Sequence, residues 1–251
     1  MLLIVGIGVL AYPTISNFIN GRHGSYAIAQ LQEQLEKADI AEQRRLAEAY
    51  NEKLRAAPKE ITEEEYEAIL NIANGMMGSL QIPKIEVNLP IYHGVSEETL
   101  TKGTGHMPES AFPIGGEGNH AVVTGHTGLP SAELFTDLTA LTEGDRFYIS
   151  ILGETLTYEI DQIKVVLPDE GQDLAAVPGE DYCTLVTCTP YGINSHRLLV
   201  RGSRMETEEK MAEQIQTGEN GEVRLTSLWL LLPVTLITVR FVALFLAGRK
   251  K

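Results

Sequence analysis

Residues 184–202 read TLVTCTPYGINSHRLLVRG and decide how the chain folds around its most reactive side chain. The β-branched run that ends at Cys188 predicts one strand, and residues 196–201 predict the next. Residues 190–195 between them contain Pro, Gly, Asn and Ser, which are typical of turns. A hairpin centred on this loop places Cys188 opposite Arg197. Facing residues of an antiparallel pair lie on one face, with Cβ atoms roughly 4.5–5.5 Å apart.

The predicted Cys188–Arg197 pair has the chemistry of a nucleophilic site. A permanent cation beside a thiol favours the thiolate and can hold a developing oxyanion. The backbone N–H of Thr189, directly after the cysteine, is a candidate second oxyanion donor, and Thr187 before it is a candidate substrate contact. The sequence indicates no Asp or Asn that orients a base.

A nucleophilic cysteine needs a base, and His126 is the best candidate among six histidines. It follows a short apolar strand in HAVVTGHTG, residues 120–128, which places it on a rigid support at a barrel rim. His196 ranks second, because strand alternation points it to the face opposite Arg197. The remaining histidines are interpreted as solvated or structural: His23, His93, His106 and His120.

The other cysteine, Cys183, is predicted to be a small buried residue. It lies five positions before Cys188, so the two side chains point to opposite faces of one strand, which argues against an internal disulfide. The chain contains no CxxC, HxxxH or HExxH spacing. We therefore predict no metal site and no cofactor.

Three segments of the chain resemble the sortase family, specifically the class C sortases that polymerise pilins in Gram-positive bacteria. They are LPIYHG at 89–94, HAVVTGHTGLP at 120–130 and the 184–202 stretch. The resemblance extends from Leu80 to Arg204. It implies that Cys188, His126 and Arg197 form the catalytic set.

The resemblance also implies an activity and a class of partner. Sortases are cysteine transpeptidases that cleave an LPxTG-type sorting signal between Thr and Gly. In class C, a lysine amine of the next pilin resolves the thioacyl-enzyme, so pilins or surface proteins with such a signal are the expected partners. Two alternatives stay open: a sortase that attaches single proteins to the cell wall, and a non-enzymatic, membrane-tethered barrel that binds extracellular ligands.

Composition and apolar segments indicate where the chain works. The chain has 251 residues and a net charge of −14, which argues against binding nucleic acid. Residues 225–248 contain one charge, Arg240, and precede a basic end, so they predict a C-terminal transmembrane helix after a linker at 205–224. Residues 1–20 are a candidate membrane anchor or signal segment. Two such anchors, as in class C sortases, place the catalytic domain at the cell membrane, on its extracellular face.

The region between the two apolar segments divides into a helical part and a β part. Helical spacing of apolar residues predicts helices within residues 21–76, as a lid or spacer. Alternating patterns and turn signals in residues 77–204 predict a mostly β fold, a closed and mostly antiparallel sortase-type barrel with short helices. A hairpin is predicted at Gly153-Glu154.

The helical part departs from the class C pattern at one point. A class C lid carries an Asp-Pro-aromatic anchor that enters the active site. Residues 54–60 read LRAAPKE, which keeps the proline and lacks both the acid and the aromatic residue. We therefore expect Cys188 to be accessible in the intact chain.

Overall fold

Eight strands close into a β-barrel in the computed structural model, which describes residues 2–129 and 132–207. In chain order they are β1 Met76–Ile82, β2 Val87–His93, β3 Thr104–His106, β4 Asn119–Thr124, β5 Arg146–Ile151, β6 Glu154–Val166, β7 Asp181–Thr189 and β8 His196–Met205. Around the barrel they run β1-β2-β3-β4-β7-β8-β6-β5. The β2–β3 and β4–β7 pairs are parallel and the other ladders are antiparallel. The predicted closed, mostly antiparallel barrel is confirmed.

Strand alternation separates an interior face from a functional outer face. On β4, Ala121 and Val123 enter the main hydrophobic core, and on β7 Cys183 and Leu185 do the same. Burying a valine or leucine side chain, as at Val123 and Leu185, stabilises a fold by about 1.5–3 kcal/mol. The side chains of the alternate residues on these strands, including Cys188, therefore point to the outside of the barrel.

The β5–β6 hairpin is present but turns one residue earlier than predicted. Ile151 pairs with Glu154, so the two loop residues are Leu152 and Gly153 rather than Gly153 and Glu154. Both loop residues have positive φ, 50° and 78°. A two-residue turn with positive φ at both positions matches the twist of the strands it joins, and glycine takes the second position without strain.

Three helices precede the barrel: α1 Leu2–Leu35, α2 Ile40–Ala56 and α3 Glu63–Ala68. The helix α1 is continuous across residue 20, where we predicted the first segment to end. Among the residues that the structure describes, no helix combines the length and apolar character needed to cross a membrane. The predicted transmembrane helix at 225–248, and the linker at 205–224 beyond Thr207, lie outside the described residues.

The helices α2 and α3 are packed into the barrel core. Tyr50 and Tyr66 are buried, with ring centroids 4.5 and 5.4 Å from that of Phe112. The Asn51 side chain donates to the Phe112 carbonyl at 3.1 Å and accepts from its N–H at 2.8 Å. This part of the chain therefore caps the barrel as part of its core.

Candidate active site

The β7–β8 hairpin brings Cys188 and Arg197 together. The two residues are direct partners in the antiparallel ladder, as the sequence predicts. Cys188 is partly exposed, whereas Cys183 is fully buried. The thiol of Cys188 and the guanidinium of Arg197 therefore share the outer face of the barrel.

His126 reaches the same face through the parallel β4–β7 pair. Thr124 pairs with Val186, and two further steps along both strands lead to His126 and Cys188. The Gly125 N–H donates to the Val186 carbonyl at 3.0 Å, which continues the ladder past the end of β4. Cys188 and Arg197 thus lie on adjacent strands, and His126 lies in the loop directly after the strand that pairs with β7.

Gly125 holds the chain tightly just before His126. A Cβ at this position meets the Phe135 ring at 2.7 Å, so no larger residue fits there without displacing that ring. The Thr187 hydroxyl donates to the Gly125 carbonyl at 2.7 Å, and Thr187 is 1% exposed. The Thr187 side chain therefore points inward, and its hydrogen bond links β7 to the turn that carries His126.

The loops after β4 and β7 also contact each other. Gly128 has φ +74°, and a Cβ there would lie 3.2 Å from the Tyr191 ring, so the ring packs closely against this backbone. Tyr191 and Ile193, in the loop between β7 and β8, are 68% and 72% exposed. The rim of the site therefore presents apolar side chains to solvent.

Glu97 contacts the candidate base, which nothing in the sequence indicates. It begins the short helix α4, Glu97–Lys102, and its Oε2 lies 3.2 Å from Nε2 of His126. A carboxylate only accepts, so Nε2 is the donor in this contact. The Glu97 side chain is 78% exposed and that of His126 is 22% exposed. Ser96 is the N-cap of α4, so the sequence signals where this helix begins. It does not signal that the helix lies beside His126.

Arg197 is oriented by the loop between β7 and β8. Its Nη1 donates to the carbonyls of Asn194 and His196, at 3.3 and 3.1 Å. Both hydrogen bonds use the same guanidinium nitrogen, and they hold the Arg197 side chain beside the loop. Thr189, the candidate second oxyanion donor, follows Cys188 on β7 and pairs with His196.

Cys183 has the environment of a structural residue. It lies in the main core cluster and both cysteines are free thiols. Burial raises the pKa of the Cys183 thiol well above its usual value, because the thiolate loses its hydration. The predicted assignment of Cys183 to the interior is confirmed.

Three other histidines are bound within the fold. His93, His106 and His120 each have a ring nitrogen within 3.0 Å of a backbone carbonyl oxygen. Burial lowers the pKa of His106 to about 3, so this ring is neutral. The structural interpretation of these three is confirmed. In the described ranges, no group of three or more His, Cys, Asp or Glu residues is arranged to hold a metal ion.

A second, smaller apolar cluster adjoins Cys188 on the outside of the barrel. Val122, Val186 and Leu199 form this buried cluster on β4, β7 and β8, and Met107 and Leu174 pack against it. Val186 precedes Cys188 by two residues, so the two side chains are neighbours on one face. The cluster therefore supports the part of β7 that carries the thiol.

Comparisons with known proteins agree with this geometry. The family described as Sortase domain matches residues 80–205. The crystal structure of sortase C1 from Streptococcus agalactiae is 44% identical, with a TM-score of 0.70 over 73% of this chain and 100% of that chain. A pilus-related sortase C of group B Streptococcus is 42% identical, with a TM-score of 0.62 over 70% of this chain and 95% of its own.

A further relative is named sortase A, from Streptococcus agalactiae serotype III (strain NEM316). It is 29% identical over 195 residues, which is 75% of this chain and 76% of that protein. The family match over residues 80–205 contains β2 to β8 and both loops of the site. The chain therefore belongs to the sortase family of cysteine transpeptidases.

Proposed function

We propose that this chain is a class C sortase that joins pilin subunits, with Cys188 as nucleophile, His126 as acid and base, and Arg197 as oxyanion donor. One observation carries the assignment: the β4–β7–β8 register directs these three side chains to one outer face. The choice of pilins is supported by the similarity to a sortase C described as pilus-related.

The proposed reaction has two acyl transfers. The Cys188 thiolate attacks the carbonyl between Thr and Gly of an LPxTG-type signal, and the C–N bond breaks as His126 delivers a proton to the departing glycine amine. A lysine amine of the next pilin then attacks the thioester and gives up a proton to His126. The C–S bond breaks, an isopeptide bond forms, and the thiolate is restored.

Arg197 and the Thr189 N–H suit the tetrahedral intermediates of both steps. The negative charge develops on an oxygen next to Cys188, and the guanidinium is a permanent cation with a planar fork of donors. We assign no metal or cofactor to this chemistry.

The stretch that replaces the class C lid anchor lies far from the thiol. The Arg55 side chain donates to Asn119, the first residue of β4. Strands rise about 3.3 Å per residue, so Asn119 is roughly 23 Å from His126 along the chain. This supports the expectation that residues 54–60 leave Cys188 accessible.

The proposed division of the chain into domains is the one predicted from its sequence. Residues 77–204 form the catalytic barrel and residues 21–76 its cap. Residues 1–20 are a membrane anchor or signal segment. Residues 225–248 anchor the chain in the membrane and are joined to the barrel by the linker at 205–224, with the barrel on the extracellular face.

The function is tested by mixing the full-length chain with a purified pilin that bears an LPxTG-like signal. We expect a covalent ladder of pilin and a thioacyl adduct on Cys188, detected by mass spectrometry. Adduct formation without a ladder, together with transfer to a cell-wall type amine, supports the enzyme that attaches single proteins. Absence of both adduct and cleavage supports the binding barrel instead.

Arg197→Lys is expected to lower kcat/KM about 10²–10³-fold, the usual effect of losing an oxyanion donor. An ammonium keeps the charge but lacks the planar fork that reaches two acceptors. The measurement is the initial rate of cleavage of a fluorogenic LPxTG peptide. Arg201→Lys is a matched control, because Arg201 pairs with Asp161 instead. A rate near that of the unchanged chain contradicts the role of Arg197.

Glu97→Gln is expected to lower kcat roughly three- to tenfold while KM stays nearly constant, because the charged contact with His126 orients the ring. Glu98→Gln is the control on the same helix, since Glu98 pairs with Lys102. Equal rates for both variants contradict a role of Glu97 as a positioning residue.

A further inference from the structure

Thr124 has a buried hydroxyl without a partner. Within the described part of the chain, its Oγ1 is shielded from solvent and makes no hydrogen bond. Neighbouring buried hydroxyls are paired: that of Thr104 donates to the Pro90 carbonyl at 2.9 Å, and that of Thr184 lies 2.7 Å from Nε2 of His120. A buried hydroxyl without a partner destabilises the fold, so its presence needs a reason.

The position of Thr124 connects it to the reaction. It precedes His126 by two residues on the outer face of β4, and its partner Val186 precedes Cys188 by two residues on β7. The spacing corresponds to about 6.6 Å along the strand. An extended peptide rises by a similar amount over two residues. The hydroxyl therefore lies on the same outer face as Cys188, within two peptide residues of the bond that the thiol attacks.

We infer that Thr124 is a specificity residue whose hydroxyl hydrogen-bonds the sorting signal next to the scissile bond. The inference rests on the proposed function. The residue as a whole is partly exposed. Rotation about χ1 moves its hydroxyl among staggered positions and turns it toward a bound peptide.

The apolar character of the site rim explains what this hydroxyl adds. The exposed side chains of Tyr191 and Ile193 can contact apolar groups of many shapes, and such surfaces discriminate weakly between peptides. A hydroxyl that is paired only in the complex favours peptides that present a polar atom at one position. It therefore fixes the register of the signal, so that the carbonyl after its Thr residue faces Cys188.

Thr124→Val separates this role from a packing role. Valine keeps the shape of the side chain and removes the unpaired hydroxyl. We expect kcat/KM for a fluorogenic LPxTG peptide to fall about five- to tenfold, mainly through KM, while Tm stays equal or rises. Thr124→Ser keeps the hydroxyl and is expected to retain kcat/KM within about threefold.

Thr104→Val is the matched control, because it removes a buried hydroxyl whose acceptor is known. The Thr104 hydroxyl belongs to β3 and bonds the Pro90 carbonyl. We expect Tm to fall by roughly 2–4 °C and kcat/KM of the folded chain to stay unchanged. The two valine variants should thus show opposite effects on stability and activity.

The full-length chain is used in both assays, and the outcomes separate the two proposals. If the unchanged chain cleaves the peptide and Thr124→Val cleaves it equally well, the inference about Thr124 is wrong and the proposed function stands. A drop in Tm for Thr124→Val as large as that for Thr104→Val also overturns it, because it shows a paired, structural hydroxyl. If the unchanged chain does not cleave the peptide, the proposed function fails and this inference fails with it.

Discussion

Cys188→Ala is expected to abolish peptide cleavage and pilin joining, because no other described thiol can form the thioester. The measurement is cleavage of an LPxTG peptide, together with mass spectrometry of the thioacyl adduct. The adduct should map to Cys188 in the unchanged chain and be missing in the variant. A circular dichroism spectrum identical to that of the unchanged chain shows that the fold is intact.

Cys183→Ala is the matched control on the same strand. Cys183 is fully buried in the core, and burial raises its pKa well above the usual value for a thiol. We expect this variant to lose some thermal stability through the small cavity and to keep its turnover per folded molecule. Equal loss of activity in both variants, with both folds intact, would falsify the assignment of Cys188 as the nucleophile.

The hairpin that carries Cys188 could be predicted from sequence because the residues that determine it are close together in the chain. Turn residues at 190–195 fix the centre of the loop, and alternation fixes the faces, so the Cys188–Arg197 pair and the inward direction of Cys183 follow from counting. The same reasoning was one residue off at the β5–β6 hairpin. There Leu152 takes positive φ, and bulky residues rarely adopt that conformation.

The position of His126 beside Cys188 could not be derived from local pattern. It depends on the parallel pairing of β4 with β7, and β5 and β6 intervene in the chain between these two strands. The setting of His126 after a short apolar strand marked it as the candidate base, and the resemblance to sortases grouped it with Cys188. Glu97 could not be predicted, since its contact with His126 joins a short helix to a loop 29 residues further on.

The role of the helices before the barrel also could not be derived from local sequence patterns. Apolar spacing predicts helices in residues 21–76, and α3 begins with a side-chain cap, in which the Thr62 hydroxyl accepts from the Glu65 N–H. Spacing alone left the choice between a lid and a spacer. The paired hydrogen bonds of Asn51 with Phe112 depend on tertiary structure, and they show that α2 is built into the barrel.

His126→Ala is expected to lower turnover about 10²–10⁴-fold, the usual contribution of a general acid and base. Both acyl transfers should slow, because His126 protonates the departing glycine amine and deprotonates the incoming lysine. Single-turnover experiments measure the two steps separately, first by release of the glycine-containing product and then by loss of the thioacyl adduct to an added amine. Slowing of only one step contradicts the double role.

His196→Ala is the control for this prediction, because His196 is the other histidine near the thiol in sequence. His196 pairs with Thr189 across the hairpin, and its Nδ1 lies 2.8 Å from the Ser195 hydroxyl. Alternation directs its side chain to the opposite face from Arg197, so the imidazole cannot serve the thiol without a change in the strand. We therefore expect this variant to keep its rate within a few-fold of the unchanged chain. A large loss in His196→Ala, with a near-normal rate in His126→Ala, would transfer the acid–base role to His196.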